Sequence, residues 1–310
     1  MKTVFVTTPV ETRHRQLLED AAAGRCRLVY AQDGRDALAE AEAVLGVVPP
    51  EDLARADKLQ WYHLVWAGTD RYRKQDFPQG VTFTNGSGAY GAMIAEHMLA
   101  CILSLLRQLP HYAALQRQHS WNPAWREGTL EGKTVLVLGT GDIGSSLAKR
   151  LRAFDCRILG ARRRREPAPY FDETYALADL DSLLPQADVV ACALPGSPET
   201  AGLLNRDRLL LMKPGALLVN CGRGSLIVTR DLIEVLRQGR LGGCALDVTD
   251  PEPLPQDSPL WDMENVILTP HVSGGSFGHL PETEDKIYQI AADNLSRWLD
   301  GRPLRNVVGI

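Results

Sequence analysis

No two cysteines of this chain lie close together. Cys26, Cys101, Cys156, Cys192, Cys221 and Cys244 are scattered, and no CxxC occurs. That spacing argues against a structural zinc and against a disulfide framework, so no metal is expected. Several of the six fall inside apolar runs, where cysteine behaves as a small hydrophobe, which fits a reducing cytoplasm. Long apolar runs are missing too. Charge or glycine interrupts each one well short of the ~18 residues of a spanning helix, so no membrane contact is expected. The opening MKTVFVTTPVETRHR holds one Lys and a run too short for a signal sequence, and reads as a first strand. Charge of one sign is not in large excess. A formal net charge of −4 over 310 residues gives no overall field for nucleic acid. Solenoid repeats and low-complexity linkers are absent. What remains is 45% hydrophobic and 23% charged, near the globular average, and long enough for about two domains.

The most informative stretch is Thr134–Arg165, TVLVLGTGDIGSSLAKRLRAFDCRILGARRRR. A short Val-rich run enters Gly139-Thr140-Gly141-Asp142-Ile143-Gly144, a helical pattern follows, and the apolar run CRILGA closes the unit. Strand, glycine turn, helix, strand is the context in which GxGxxG marks a dinucleotide site. Gly139 permits the tight turn, Gly141 lets the backbone approach a pyrophosphate, and Gly144 lets helix and strand pack closely. The helix N-terminus then offers its N–H groups to the phosphates. About 20 residues on, NAD sites place an acidic residue for the ribose 2′-OH. Here that position is Arg162, followed by Arg163, Arg164 and Arg165. A guanidinium pairs with a 2′-phosphate where a carboxylate would repel it, so NADP(H) is expected over NAD(H). The competing reading of the Arg run is a solvated or nucleic-acid-binding loop.

The rest of the chain alternates in the same way. KTVFVT, RLVY, AVLGVV, WYHLVW and VTFT read as strands, with helices over ETRHRQLLEDAAA, RDALAEA and EDLARA between them. A second match, Gly86-Ser-Gly88-Ala-Tyr-Gly91, is read as a decoy. It runs into one long apolar helix, Ala92–Arg107, that Pro110 should end. Later, DLDSLLPQ precedes the strand ADVVACAL; GALLVN, GGCALDV and ENVILT are further strands; TRDLIEVLRQG is a helix with Thr229 as N-cap; and Thr283–Leu299 is a last helix. The fold class is therefore α/β, with parallel sheets covered on both faces.

Three strand-end loops carry candidate chemistry, where ligands sit in open α/β sheets. Asn220-Cys221-Gly222-Arg223-Gly224 aims an Arg that could grip a carboxylate and polarise a neighbouring carbonyl. Asp247-Val-Thr-Asp250-Pro-Glu252-Pro offers three carboxylates, one of which could orient a histidine. Thr269-Pro-His271-Val-Ser-Gly274-Gly275 supplies that histidine, a general acid/base when a carboxylate stabilises its imidazolium.

In order and spacing, the fingerprint, NCGRG, DVTDPEPLP and TPHVSG resemble the D-isomer-specific 2-hydroxyacid dehydrogenases across nearly the whole chain. The resemblance implies two Rossmann-like or flavodoxin-like domains. A cofactor domain, 99–275, would be inserted in a discontinuous substrate domain, 1–98 with 276–310, and hinge closure would exclude water. It implies that Arg223 binds the carboxylate and carbonyl of a small 2-oxo acid. His271 would protonate the carbonyl oxygen during reduction and take the proton back during oxidation, and Glu252 would hydrogen-bond His271. It assigns the Trp66-Ala67-Gly68 backbone to the substrate carboxylate and Asp247 to the nicotinamide amide. The loop with Leu194, Pro195 and Thr200, the Cys221-Gly222 pair and Gly274 would also meet the cofactor. The long helix and the Trp-containing arm after it would form a homodimer interface. Tyr90, Trp61, Trp66, His63 and Phe277–Leu280 are candidates to line the substrate pocket.

Departures from the family pattern narrow the activity. Arg162 replaces the acidic NAD residue, VSGGSFGHLPET replaces the alanine-rich stretch of serine-pathway members, and no regulatory domain is seen. These disfavour a 3-phosphoglycerate dehydrogenase; Glu252, where formate dehydrogenases carry Gln, disfavours that activity. The expectation is an NADPH-preferring glyoxylate/hydroxypyruvate reductase giving a D-2-hydroxy acid, with no metal, membrane or nucleic-acid partner. The alternative is a nucleotide-sensing dimeric corepressor on the same scaffold.

Overall fold

The computed structural model describes residues 1–277 and 279–309. Two units divide it: Met1–Tyr90 with Gly275–Ile310, and Gly91–Gly274. The first boundary falls at the start of the long apolar helix, rather than within it.

In the first unit β1 (Lys2–Val6), β2 (Cys26–Tyr30), β3 (Ala43–Gly46), β4 (Trp61–Leu64) and β5 (Thr82–Asn85) form one sheet in the order β2-β1-β3-β4-β5. Every pairing is parallel. This is the flavodoxin-like order. Side chains alternate between two cores, as the pleat requires. Val4, Val6, Leu45 and Trp61 pack with Leu18 of α1 (Thr12–Ala22) and with Tyr288 and Leu295 of the helix Pro281–Leu299. Phe5, Val44, Tyr62, Leu64 and Phe83 pack with Leu38, Leu53, Tyr72 and Phe77 on the other face. β3 and β4 are buried throughout, so they read as unbroken apolar runs.

Two helices expected in this unit are absent. RDALAEA and EDLARA form only 3₁₀ turns, Leu38–Glu40 and Pro50–Arg55. Each is too short to repay the cost of α-helix nucleation, and 3₁₀ winding serves such pieces. The Asp36 carboxylate accepts from Leu38 N–H at 3.0 Å and starts the first of them.

The second unit is a seven-stranded parallel sheet. Its strands are β6 (Thr134–Leu138), β7 (Arg157–Arg162), β8 (Glu173–Ala176), β9 (Val189–Cys192), β10 (Leu217–Asn220), β11 (Gly243–Leu246) and β12 (Val266–Leu268). Their order is β12-β11-β10-β9-β6-β7-β8. The order reverses between β6 and β9, and ligands bind at the carboxyl ends of strands at such a switch point. The helices are α2 (Gly91–Leu106), α3 (Leu109–Arg117), α4 (Asp142–Leu151), α5 (Leu180–Leu183), α6 (Arg206–Leu211) and α7 (Thr229–Arg237); Pro281–Leu299 of the first unit is α8. β8 and α6 were not anticipated: the strand is only half-buried and the helix brief.

Two boundaries correct the sequence reading. Helix α2 stops because Gln108 turns into the left-handed region at φ 55°, and Pro110 sits in the first turn of α3, where its missing N–H costs nothing. Val228, not Thr229, occupies the N-cap of α7, and the Thr229 hydroxyl donates to Asp250 O at 2.6 Å. Among the described residues no single helix is long and apolar enough to cross a membrane.

Candidate active site

The turn from β6 into α4 is shaped by close approach. Gly139 has φ 100°, and a Cβ there would stand 2.8 Å from Ala193 O, so the loops after β6 and β9 touch at this residue. A Cβ on Gly144 would meet Gly139 O at 1.8 Å, so only glycine lets α4 begin so near the strand. A Cβ on Gly141, by contrast, would meet nothing within 4 Å. That open space lies beside the N-terminus of the ten-residue helix α4, with Asp142 and Ile143 opening its first turn. Thr140 Oγ1 is buried there without a partner among the described residues. Space, helix N-terminus and an orphaned hydroxyl fit a bound pyrophosphate. The second GxGxxG serves packing instead. A Cβ on Gly86 would lie 2.2 Å from Val65 O, and one on Gly91 would lie 2.3 Å from Asp142 Oδ1.

Arg162 is the last residue of β7, and its guanidinium pairs with Glu166 at 3.3 Å. Arg163 and Arg164 are exposed, and Arg165 lies over the Tyr175 ring at 5.2 Å. After β9, Leu194 is buried. The Thr200 hydroxyl accepts from Ser197 N–H at 2.9 Å and donates to Pro195 O at 2.9 Å, which folds this loop on itself.

The loop after β10 is stapled by Asn220, which is fully buried. Its Nδ2 donates to Arg223 O at 2.9 Å, and its Oδ1 accepts from Gly222 N–H at 3.0 Å. The Arg223 guanidinium donates to Gly222 O at 2.8 Å. Gly224 then passes against the next loop, where a Cβ would lie 1.9 Å from Thr249 O. Cys221 is buried, and burial pushes its thiol well above the usual range. It is therefore a packing residue and not a nucleophile.

The loops after β11 and β12 meet through one carboxylate. Asp247 is only 3% exposed. Its Oδ1 accepts from the Thr269 hydroxyl at 2.6 Å and from Val272 N–H at 2.9 Å; its Oδ2 accepts from the Ser273 hydroxyl at 2.5 Å and from Ser273 N–H at 3.1 Å. Burial alone would raise its pKa. The hydrogen bonds from Ser273 and Thr269 outweigh burial and hold it below the ordinary carboxylate value. Gly274, just beyond this clamp, is part-buried. His271 N–H donates to Asp247 O at 2.8 Å, and His271 itself sits at φ 54°, a left-handed backbone uncommon outside glycine. Its Nδ1 lies 2.7 Å from Glu252 Oε1. An ionised carboxylate only accepts, so Nδ1 donates, leaving Nε2 as the second working nitrogen of the ring. Both side chains are half-exposed. Of the three carboxylates left open by the sequence, Glu252 is the one at His271.

Asn220, Thr269 and Ser273 had no assigned role from sequence. Each is a small polar residue beside a named motif position, and only the fold reveals what it holds. Among the described residues no group of three or more His, Cys, Asp or Glu could hold a metal ion.

In the first unit, the Trp66–Gly68 loop follows β4. Gly86 N–H donates to Trp66 O at 2.9 Å, and Asn85 Nδ2 donates to Ala67 O at 2.7 Å. Tyr90 is 5% exposed; its hydroxyl donates to Val65 O at 3.1 Å, and burial pushes its pKa up to about 12. Trp61 and His63 do not line a pocket. Both are fully buried: Trp61 Nε1 donates to Thr84 Oγ1 at 2.8 Å, and His63 Nδ1 lies 2.9 Å from the same oxygen. Strand β4 is covered on both faces, so neither residue reaches a surface. Phe277 packs edge-on against Tyr288; Gly278, within the proposed Phe277–Leu280 lining, lies outside the described residues.

A glycine turn at the switch point of a parallel sheet, with a paired Glu and His on the loops after β11 and β12, is the arrangement of a dinucleotide-binding α/β protein. Comparison with known proteins makes this specific. The profile of the D-isomer specific 2-hydroxyacid dehydrogenase, NAD binding domain, matches residues 99–273. The chain belongs to that family. A D-isomer specific 2-hydroxyacid dehydrogenase from Xanthobacter autotrophicus Py2, solved in complex with NADPH and MES, superposes with a TM-score of 0.84 at 30% identity, covering 99% of this chain and 98% of the other. Glyoxylate reductase from Thermofilum pendens is 34% identical over 72% of this chain and 66% of its own length. D-3-phosphoglycerate dehydrogenase from Mycobacterium tuberculosis is 33% identical over 92% of this chain, and the match spans only 53% of that enzyme. The chain thus spans about half the length of the mycobacterial relative.

Proposed function

We propose that the protein reduces a small 2-oxo acid of the glyoxylate/hydroxypyruvate type to the D-2-hydroxy acid, preferring NADPH. The observation that carries this reading is the 2.7 Å contact between His271 Nδ1 and Glu252 Oε1, on a histidine whose backbone is tied to Asp247. As imidazolium, His271 gives the proton on Nε2 to the carbonyl oxygen, while Glu252 stabilises the charged ring through Nδ1. Arg223 grips the carboxylate and polarises the carbonyl. The Trp66–Gly68 backbone is assigned to the same carboxylate.

When bound, the nicotinamide nucleotide supplies the hydride to C2. The Gly139–Gly144 turn, with Thr140, is assigned to its pyrophosphate, and Arg162 with Arg163 to its 2′-phosphate. Leu194, Pro195, Thr200, Cys221, Gly222, Asp247 and Gly274 are assigned to its nicotinamide half. Arg162 in the place of an acidic residue supports the NADPH preference, as does the NADPH complex of the Xanthobacter relative. The exposed Trp121 and Trp125 support a homodimer, and six buried free cysteines support a cytoplasmic setting.

Absorbance at 340 nm tests the proposal, with NADPH and then NADH against glyoxylate, hydroxypyruvate, pyruvate, phenylpyruvate and 3-phosphohydroxypyruvate. Fastest turnover of glyoxylate or hydroxypyruvate with NADPH is expected. Preference for the phosphorylated acid would give the protein the activity of its mycobacterial relative. Tight NADPH binding without turnover would favour a nucleotide-sensing role.

A further inference from the structure

One histidine of the second unit has no part in the proposed reaction, yet is wired to it. His97 lies part-buried on α2, and its Nε2 is 3.2 Å from Thr269 Oγ1. The same hydroxyl is 2.6 Å from Asp247 Oδ1. A hydroxyl has one proton, and an ionised carboxylate only accepts. The Thr269 proton therefore goes to Asp247, and Thr269 must accept from His97, whose Nε2 carries a hydrogen. The bonds run in one direction, from His97 N–H to Thr269 O–H to Asp247.

Asp247 is where that chain matters. Its carboxylate gathers Val272 N–H, Ser273 N–H and the Ser273 hydroxyl, and its main-chain oxygen takes His271 N–H. His271 occupies a left-handed backbone at φ 54°, which a non-glycine residue keeps only when its surroundings impose it. These constraints converge on Asp247. The rotation of its carboxylate is set from behind by Thr269, and Thr269 by His97.

We propose that His97 is a positioning residue for the reaction. Through Thr269 and Asp247 it fixes the turn that presents the His271 imidazole. The proposal rests on His271 being the acid/base of the reaction proposed above. His97 touches neither His271 nor Glu252 in this network, so its effect passes through the turn.

Three variants test this. His97→Leu removes the donor, His97→Gln returns an amide N–H near the Nε2 position, and Thr269→Val removes the hydroxyl while keeping the shape. In NADPH-dependent reduction of glyoxylate, His97→Leu and Thr269→Val should each lower kcat about tenfold with KM changed less than about twofold. His97→Gln should recover most of the loss, and the double variant should be no worse than either single one. Unchanged kcat in His97→Leu overturns the proposal, as does His97→Gln no better than His97→Leu. Thr269→Val carries the test should His97→Leu fail to fold. Imidazole NMR of His271 keeps the two readings apart. Displaced His271 ring signals in His97→Leu or Thr269→Val, with a wild type that reduces none of the acids, would uphold the relay and discard the reaction. Unmoved signals in both would discard the relay.

Discussion

In the seven-stranded unit the loops at the carboxyl ends of β10, β11 and β12 are stapled by Asn220 and Asp247, and they hold ionisable side chains clear of the core: Arg223, Glu252 and His271. In the five-stranded unit the equivalent loops are stapled just as firmly. Thr7 Oγ1 donates to Val47 O at 2.9 Å, and Tyr72 OH donates to Val48 O at 2.8 Å. Yet next to the strand ends those loops carry Val47, Val48, Trp66, Ala67 and Gly68, and the ionisable Asp70 and Arg71 come only further along the second loop. The ionisable residues of β4, Tyr62 and His63, are both sealed inside. Two parallel sheets of similar plan thus differ at these strand ends. One presents Arg223, Glu252 and His271 there, and the other presents apolar side chains and backbone.

The largest expected effect tests the first half of that contrast. His271→Gln keeps a side chain of similar reach but cannot donate a proton as an imidazolium does. It should lower kcat by ~10²–10⁴-fold, the usual range for losing a general acid, with the Kd for NADPH nearly unchanged by fluorescence titration. A loss under about threefold would break the comparison, because acid/base chemistry would then have to come from elsewhere.

The second prediction concerns the five-stranded unit. Burial pushes the pKa of His63 down from 6.5 to about 3. The folded unit holds the ring neutral, while the unfolded chain takes up a proton near the ordinary value. Between pH 6.5 and 3 the unfolded state therefore binds more protons, and stability falls as pH falls through that window. Above it, the neutral ring costs nothing further. From pH 6.5 to 4.5 this one residue should remove about 2–3 kcal/mol. His63→Leu should flatten that part of the acid slope in urea unfolding followed at successive pH values. An identical slope in wild type and variant would mean the ring is protonated in the fold.

How much of this division was legible in the sequence follows from how local each signal is. The glycine turn is contiguous, and its strand-turn-helix context lies within one stretch, so it could be read directly. Glu252 and His271 stand 19 residues apart on separate loops. The residues alone left Asp247, Asp250 and Glu252 open as partners, and only the family resemblance favoured Glu252. Trp61 and His63 were misread for a physical reason. A strand covered on both faces shows no polar alternation, so a histidine within WYHL gives no sign of which way it points. The clamp around Asp247 was invisible because Thr269 and Ser273 reach it across 22 and 26 residues of chain. Short elements failed in the same way. RDALAEA and EDLARA have helical composition, but length decided their winding.

The smallest expected effect sharpens the contrast within the seven-stranded unit, between the loops that hold His271 and the loop that would select the nucleotide. Arg162 is partly exposed, and its ion pair with Glu166 at 3.3 Å is of the kind that contributes little to stability. Arg162→Ala should therefore leave Tm nearly unchanged. At a partly exposed site a guanidinium bonded to a 2′-phosphate is worth about 1.5 kcal/mol, the lower end for charged hydrogen bonds, so the ratio of kcat/KM for NADPH over NADH should fall roughly tenfold. The change should sit in KM for NADPH, with kcat preserved, because the phosphate is remote from the transferred hydride and binds equally in ground and transition states. Glu166→Ala sharpens the test from the other side. Freed of its carboxylate, Arg162 should bind the phosphate more tightly and raise the same ratio. A ratio that neither variant moves would assign nucleotide choice to some other part of the loop.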